Sequence, residues 1–327
     1  MANEKENKMD SDTPVPVPDE YQQKERVQEH RSLGERILTQ LYRDKLAMVG
    51  AVVIVGFVLL ALFADFIAPY DPDATFDQMV GPNGYSQEGA SVDGEAEQVW
   101  HPLGTDSFGH DLLSRMIFGA RISLLVALAT VAFAFTAGTA IGAIAGYYGG
   151  VIDTVLMRFI DFMWAFPAII LAAGLIAFLG GLGVTNVIIA IGVAFIDDFA
   201  RLVRGEVLSL REKDFVLAAR TVGLTDVRIM TREVLPNAVA PIIVQVTLMI
   251  PLAILAEAAL SFLGLGVRPT TPTWGLLLGE GRQFISQAWW ISIFPGLAIM
   301  IAVLAFNLFG DSLRDAFDVK QQEVSNR

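Results

Sequence analysis

Six apolar runs, at 46–68, 122–145, 154–179, 184–203, 238–263 and 289–309, alternate with polar segments along the chain. About twenty apolar residues make a helix long enough to cross a bilayer, so the pattern predicts an all-α integral membrane protein with six transmembrane helices. Arg31, Arg36, Arg43 and Lys45 precede the first run and place its N-terminus in the cytoplasm. Six crossings from that start return the C-terminus to the cytoplasm. Arg158, Arg201, Arg204, Arg211, Lys213, Arg220, Arg228, Arg232, Arg314 and Lys320 then fall on the inner side, whereas Arg115 and Arg121 fall outside and run against the scheme.

The polar segments differ in kind. Residues 1–31 carry the run TPVPVP and read as a disordered cytoplasmic tail, and no apolar core follows the start as a cleavable signal peptide would require. An N-terminal region, 32–74, contains the first span, and an acidic, Gly-rich loop at 75–121 lies outside the cell. A core at 122–310 holds five spans and an inner loop at 205–236, and 311–327 form a cytoplasmic C-terminal tail.

Within the inner loop, the stretch DFVLAARTVGLTDVRIMTREVLP reads as two short helices with a hinge. Asp214 can cap the first, whose small or apolar residues Phe215, Ala218, Ala219 and Val222 follow i, i+3, i+4, i+7 spacing. Gly223 ends it, because the residue past a helix terminus often needs a left-handed conformation. Thr225 can cap the second helix, which carries Val227, Met230 and Val234 until Pro236 opens the next segment. Adjacent alanines leave a backbone open to close approach, which suits a helix that docks in a partner's groove. An ordinary amphipathic loop helix has the same pattern.

Composition sharpens this picture. A hydrophobic share of 54% and a mean hydropathy of +0.52 exclude a soluble globular protein. The net charge of −12 argues against nucleic acid as a partner. The absence of cysteine excludes disulfides, thiol catalysis and thiolate metal sites. His101 and His110 are too far apart for close ligand spacing and read as surface histidines. The GLGV runs at Gly181 and Gly264 lack the lysine and hydroxyl of a phosphate-cradling loop, so no nucleotide site, cofactor or metal is expected.

Charges inside the spans need partners or water. Asp161 lies three residues after Arg158, and Asp197 four before Arg201, so each can pair along its own helix. A substrate role is the alternative for both. Glu257 has no neighbouring cation on its helix and can line a path, hold a paired subunit or make a structural hydrogen bond. Pro241 and Pro251 each remove a backbone hydrogen bond from the fifth span. Gly142, Gly146, Gly149 and Gly150 allow close helix packing.

The paired alanines, a glycine four positions on, and Leu235, Pro236 and Asn237 resemble the "EAA" loop of ATP-binding-cassette (ABC) importer permeases. Leu217 and Glu233 stand where that family often has Glu and Ile. PYDPDA at 69–74, HPLGTDSFGHDLLSRMIFGARISL at 101–124 and FNLFGDSLRDAFD at 306–318 resemble the oligopeptide/dipeptide branch, with His110 where that branch usually has Arg. The resemblance covers about 33–319. It implies the permease fold and a non-enzymatic subunit of the cell membrane, corresponding to the second of two paired permeases. It further implies a heterodimer with a sister permease, two cytoplasmic ATP-binding subunits docking at Phe215, Ala218, Ala219, Gly223 and Pro236, and an extracellular solute-binding protein. Cargo in that branch includes peptides, nickel and other small solutes. A secondary transporter would need an ion site and usually an internal repeat, and neither is visible.

Overall fold

The structure, a computed structural model, describes residues 44–87 and 98–325. The tail at 1–31, Arg31, Arg36, Arg43, Glu88, Asp93, Glu95 and Glu97 lie outside the described residues. The first helix, α1 (Lys45–Leu62), starts at Asp44, whose carboxylate accepts from the backbone N–H of Leu46 at 2.9 Å and Ala47 at 3.3 Å. A single turn, α2 (Ala64–Ile67), follows. The loop beyond carries a feature absent from the all-α expectation, an antiparallel pair β1 (Gly84–Gln87) and β2 (Gln98–His101), in register Gly84 to His101.

Helix α3 (Leu112–Tyr148) begins ten residues before the predicted second span. Asp111 caps it, accepting from the Ser114 N–H and hydroxyl at 2.8 Å each. Its 37 residues extend roughly 55 Å at the usual rise, well beyond a hydrocarbon layer of about 30 Å. Gly149 and Gly150, at φ 65° and 56°, reverse the chain in a conformation other residues rarely adopt. The predicted third span is two helices, α4 (Gly150–Trp164) and α5 (Ala168–Phe178), bent by 94°. Pro167 lacks the N–H to continue the ladder and steers Phe166 away from helical geometry. The predicted fourth span likewise divides into α6 (Val184–Ala194) and α7 (Ile196–Leu210).

Beyond the inner loop, α11 (Val239–Phe262), α12 (Trp274–Gly281) and α13 (Trp290–Ser325) complete the bundle. Pro251 lies inside α11, but Pro241 falls in its first turn, where an N–H has no intrahelical acceptor and its loss costs nothing. Among the described residues four helices, α1, α3, α11 and α13, are long and apolar enough to cross a membrane, and the bent pair makes a fifth if it counts as one span. The six predicted crossings therefore correspond to four unbroken helices and two divided ones.

Helix α7 lies along α3 because α3 presents a stripe of glycines. A Cβ on Gly138 would lie 2.7 Å from the Ile196 carbonyl, and one on Gly146 would lie 3.0 Å from the Val207 Cβ. The apolar core joins Leu124 and Val131 of α3 to Ile191, Phe199, Ile254 and Phe306, with Trp274 of α12 at its outer edge. Trp274 donates from Nε1 to the Met116 carbonyl at 3.1 Å and meets the Phe57 ring edge-on at 5.1 Å.

Two predicted ion pairs are replaced. Arg201 reaches across to Asp161 at 3.1 Å and lies over the Trp164 ring, while Arg158 and Asp197 form no ion pair among the described residues. The helix-to-helix approach of α4 and α7 offers Arg201 a carboxylate that spacing along one helix cannot reveal. The two arginines that ran against the charge scheme are neutralised locally. Arg115 bridges Asp106 and Glu280, at 3.0 Å to the latter, and Arg121 pairs with Asp65 at 2.7 Å and donates to the Ala61 carbonyl.

His101 is a correction. It is fully buried, with Nδ1–H donating to Asp111 at 2.8 Å and Nε2 2.7 Å from the Ser86 hydroxyl. The β-pair brings Ser86 over a histidine ten residues before the α3 cap, so the ring locks the β-pair loop to the helix start. His110 is half-buried, 3.0 Å from Asp106. Burial works to raise Asp106, but the hydrogen bond from His110 and the charges of Arg115 and His110 outweigh it and hold that carboxyl below its ordinary value. Burial, with the charge of Asp106, pushes Glu280 above its ordinary value despite Arg115.

Candidate partner-docking loop

The inner loop folds as α8 (Asp214–Thr221), α9 (Asp226–Ile229), a π-helical turn at Met230–Val234 and α10 (Leu235–Asn237). It sits at the end of the bundle opposite the β-pair, because Tyr147, at the far end of α3, donates its hydroxyl to Asp226 at 2.8 Å. Lys213 occupies the cap position of α8, and Asp214 lies in the first turn without a side-chain cap bond. A first-turn carboxylate still complements the helix dipole. Thr225 holds the cap position of α9 but makes no side-chain bond either.

The hinge follows the sequence expectation closely. Gly223 has φ 84°, its N–H donates to the Arg220 carbonyl at 2.9 Å, and the Leu224 N–H reaches back to Ala219 at 3.2 Å. This pair of bonds is a Schellman ending, which a left-handed glycine closes. Leu224 and Ala219 each pack on the apolar cluster beneath. Nothing lies within 4 Å of a Cβ built on Gly223, so the requirement for glycine is conformational.

The loop is anchored from below by Val216 and Ile229, which the sequence pattern does not single out, together with Val234, Met230 and Ala219, which it does. Val216, Ile229 and Val234 are buried against Tyr147, Val203, Val207 and Ile242. Ala219 turns half inward to join them, and so does Met230. Phe215, Ala218 and Gly223 stay exposed, with Val222 at 81% and Val227 at 59%. Pro236 is also exposed. It lacks an N–H, and the Asn237 side-chain amide donates to the Glu233 carbonyl at 2.6 Å beside it. The result is an apolar surface on a rigidly seated loop, flanked by Arg220, Arg228 and Arg232.

Glu257 is placed elsewhere. It is 0% exposed, accepting from the Ser261 hydroxyl at 2.7 Å and the Ser123 hydroxyl at 3.3 Å, while Ser123 in turn accepts from the Trp274 N–H at 3.2 Å. The carboxylate ties α3, α11 and the start of α12 together from inside the chain. It is the structural hydrogen-bonding group that the sequence left as an alternative, and it does not line an open surface.

Residues 138–322, more than half of the chain and including the whole loop, match the family described as binding-protein-dependent transport system inner membrane component. The chain belongs to this family. Residues 32–83 of this transport-system component match the N-terminal TM domain of oligopeptide transport permease C. Over 283 residues, 86% of this chain and 88% of the relative, it is 44% identical to the dipeptide transport system permease protein DppC of Alkalihalophilus pseudofirmus. It is 43% identical over 278 residues, 85% of this chain and 88% of the relative, to the glutathione transport system permease protein GsiD of Escherichia coli O157:H7. The inward-facing MetNI methionine ABC transporter shares the fold, with a TM-score of 0.51 at 20% identity over 62% of this chain and 95% of that one. The family consists of membrane transport components, and the apolar helices make this member a multi-pass membrane protein.

Proposed function

We propose that this chain is one of two permease subunits of an ATP-driven importer for short peptides. The exposed apolar surface of Phe215, Ala218, Val222, Gly223 and Val227, on a loop seated by Val216, Ile229 and Val234, carries the reading. A surface of this kind gives an amphipathic helix its grip in a partner's groove. One of two ATP-binding subunits occupies it in the assembled importer, a sister permease seats the other and completes the path, and an extracellular solute-binding protein delivers cargo. ATP hydrolysis belongs to the partners. The peptide cargo is supported by the names of the relatives, which are dipeptide and glutathione permeases.

The inner position of the loop and of both termini is supported by the distribution of charge. Arg204, Arg211, Lys213, Arg220, Arg228 and Arg232 cluster at the loop end, whereas the outer Arg115 and Arg121 are consumed by Asp106, Glu280 and Asp65. The test is reconstitution of the tagged chain with its co-purifying subunits in proteoliposomes. Uptake of a labelled dipeptide that requires both ATP and the binding protein supports the proposal. ATP-independent uptake driven by an ion gradient, or uptake of nickel with none of dipeptides, overturns it.

A further inference from the structure

A cavity of about 530 Å³ opens on the flank of α8, with Tyr147, Tyr148, Arg211, Glu212, Leu217 and Arg220 as its walls. Arg211 is fixed there by donating from one guanidinium nitrogen to the Gly146 and Tyr147 carbonyls, at 2.9 and 3.4 Å. The Arg220 guanidinium lies 5.5 Å over the Tyr147 ring. This chain matches neither cation closely with an acid. Glu212 is 77% exposed and comes only to 4.0 Å of Arg211. Asp226 accepts from the Tyr147 hydroxyl at 2.8 Å, and Arg220 forms no ion pair among the described residues. Leu217 stands where the EAA loop often carries Glu, three residues before Arg220, a spacing at which helix side chains meet. The leucine therefore removes the acid one turn before Arg220.

Two anions could fill such a site, the phosphate of a lipid headgroup or the carboxylate of a protein seated on the loop. Depth decides between them. Arg121, paired with Asp65, marks one edge of the hydrocarbon on α3. A layer of about 30 Å takes roughly 20 residues of helix from there, which ends near residue 141. Arg204 agrees, because its backbone packs at Gly142 and Gly146 while its side chain pairs with Asp153. On α7 Arg211 lies seven residues, roughly 10 Å, beyond Arg204. Headgroups add only about 5–8 Å on each side, so the cavity lies past them. A protein covering the exposed Ala218 and Val222 reaches it directly, since Leu217 and Arg220 flank them on α8.

We propose that this cavity receives an Asp or Glu side chain of the ATP-binding subunit seated on the loop, paired with Arg220 and with Arg211 behind it. The inference rests on the importer reading and adds a directional contact to the apolar one. Apolar burial sets no rotation of α8 in its groove, whereas a guanidinium and a carboxylate meet in a fixed geometry.

The test uses the complete importer. Arg220→Lys puts a primary amine in the cavity, and a water-soluble carbodiimide joins an amine only to a carboxylate in direct contact. Peptide mapping should find the substituted side chain linked to an Asp or Glu of the ATP-binding subunit. Links confined to Glu212 or Asp226 of this chain, or no link, overturn the proposal. Binding gives a second measurement, with the permease pair held in nanodiscs. Arg220→Gln should weaken association of the ATP-binding subunit about tenfold at low salt, as expected for loss of one charge-assisted contact. The deficit should shrink near 1 M salt, where the screening length falls to about 3 Å. Arg220 is exposed, so the melting temperature of the permease pair should not change. Equal affinity of wild type and Arg220→Gln overturns the ion pair and leaves the apolar docking surface standing. A deficit that appears only in nanodiscs containing phosphatidylglycerol assigns the cavity to a lipid phosphate and also overturns it. If no ATP-binding subunit joins the wild-type pair, the importer reading falls as well.

Discussion

Replacing Gly223 by valine isolates what the loop's hinge contributes. At φ 84° a residue with a Cβ is strained by about 1–3 kcal/mol, and a β-branched one sits at the upper end. Because a Cβ there meets no atom within 4 Å, steric collision adds nothing. The strain acts on the two Schellman bonds, Gly223 to Arg220 and Leu224 to Ala219, and on the Leu224 contact with the cluster below. A cost of about 2–3 kcal/mol raises the local opening equilibrium roughly 30- to 150-fold. Val216, Ile229 and Val234 hold the rest of the loop, so opening should stay confined to the junction of α8 and α9. Amide hydrogen exchange at Leu224, measured in the purified complex, should therefore accelerate by that factor in Gly223→Val. Gly223→Asn, which tolerates the left-handed region, should stay near wild type, and Gly223→Ala should fall between. Retained protection at Leu224 in the valine variant, or equal effects of asparagine and valine, would refute the conformational argument.

Gly146→Leu should lower the melting temperature of the complex, because overpacking against Val207 and Arg204 costs about 1–3 kcal/mol; an unchanged midpoint means α3 and α7 are not closely packed. Glu257→Ala leaves the Ser261 and Ser123 hydroxyls without their acceptor and should destabilise by about 1–3 kcal/mol, while Glu257→Gln keeps an acceptor and should transport near the wild-type rate. A large transport defect in a stable Glu257→Gln would return that residue to the path. Asp106 has a lowered folded pKa, so its contribution is present above its ordinary value of 3.8 and is lost as pH falls through the lower folded value. Proteolysis of the outer loop by an acid-active protease should rise across that window in wild type, and Asp106→Asn should flatten the rise. An Asp73→Cys thiol should label from outside the cell and a Val222→Cys thiol only from inside; the reverse pattern inverts the topology.

The apolar runs and the hinge were legible because their signals are local. A span needs only a count of apolar residues, and Gly223 announces a left-handed position whatever lies around it. Pro167 was visible too, but a 94° bend depends on how α4 and α5 pack, and a run of apolar residues carries no record of that. Partner choice was the least legible property. Spacing paired Asp197 with Arg201, yet the approach of α4 gave Arg201 to Asp161 and left Asp197 facing a cavity. His101 read as a surface residue because Ser86 and Asp111 converge on it only after the β-pair forms. At the loop, the i, i+3, i+4, i+7 spacing grouped Phe215, Ala218 and Val222, which stay exposed, with Ala219, which turns half inward. Val216 as its anchor depends on Val203 and Val207 of a different helix.

The central claim, that the loop's apolar surface seats an ATP-binding subunit, is tested most directly by Val222→Arg combined with Ala218→Arg, followed by purification through a tag on this chain. Both positions are exposed, so the fold should survive the change. The account predicts that the sister permease still co-purifies while the ATP-binding subunit seated on this loop is lost and dipeptide uptake stops. Retention of both ATP-binding subunits with uptake at the wild-type rate would contradict it.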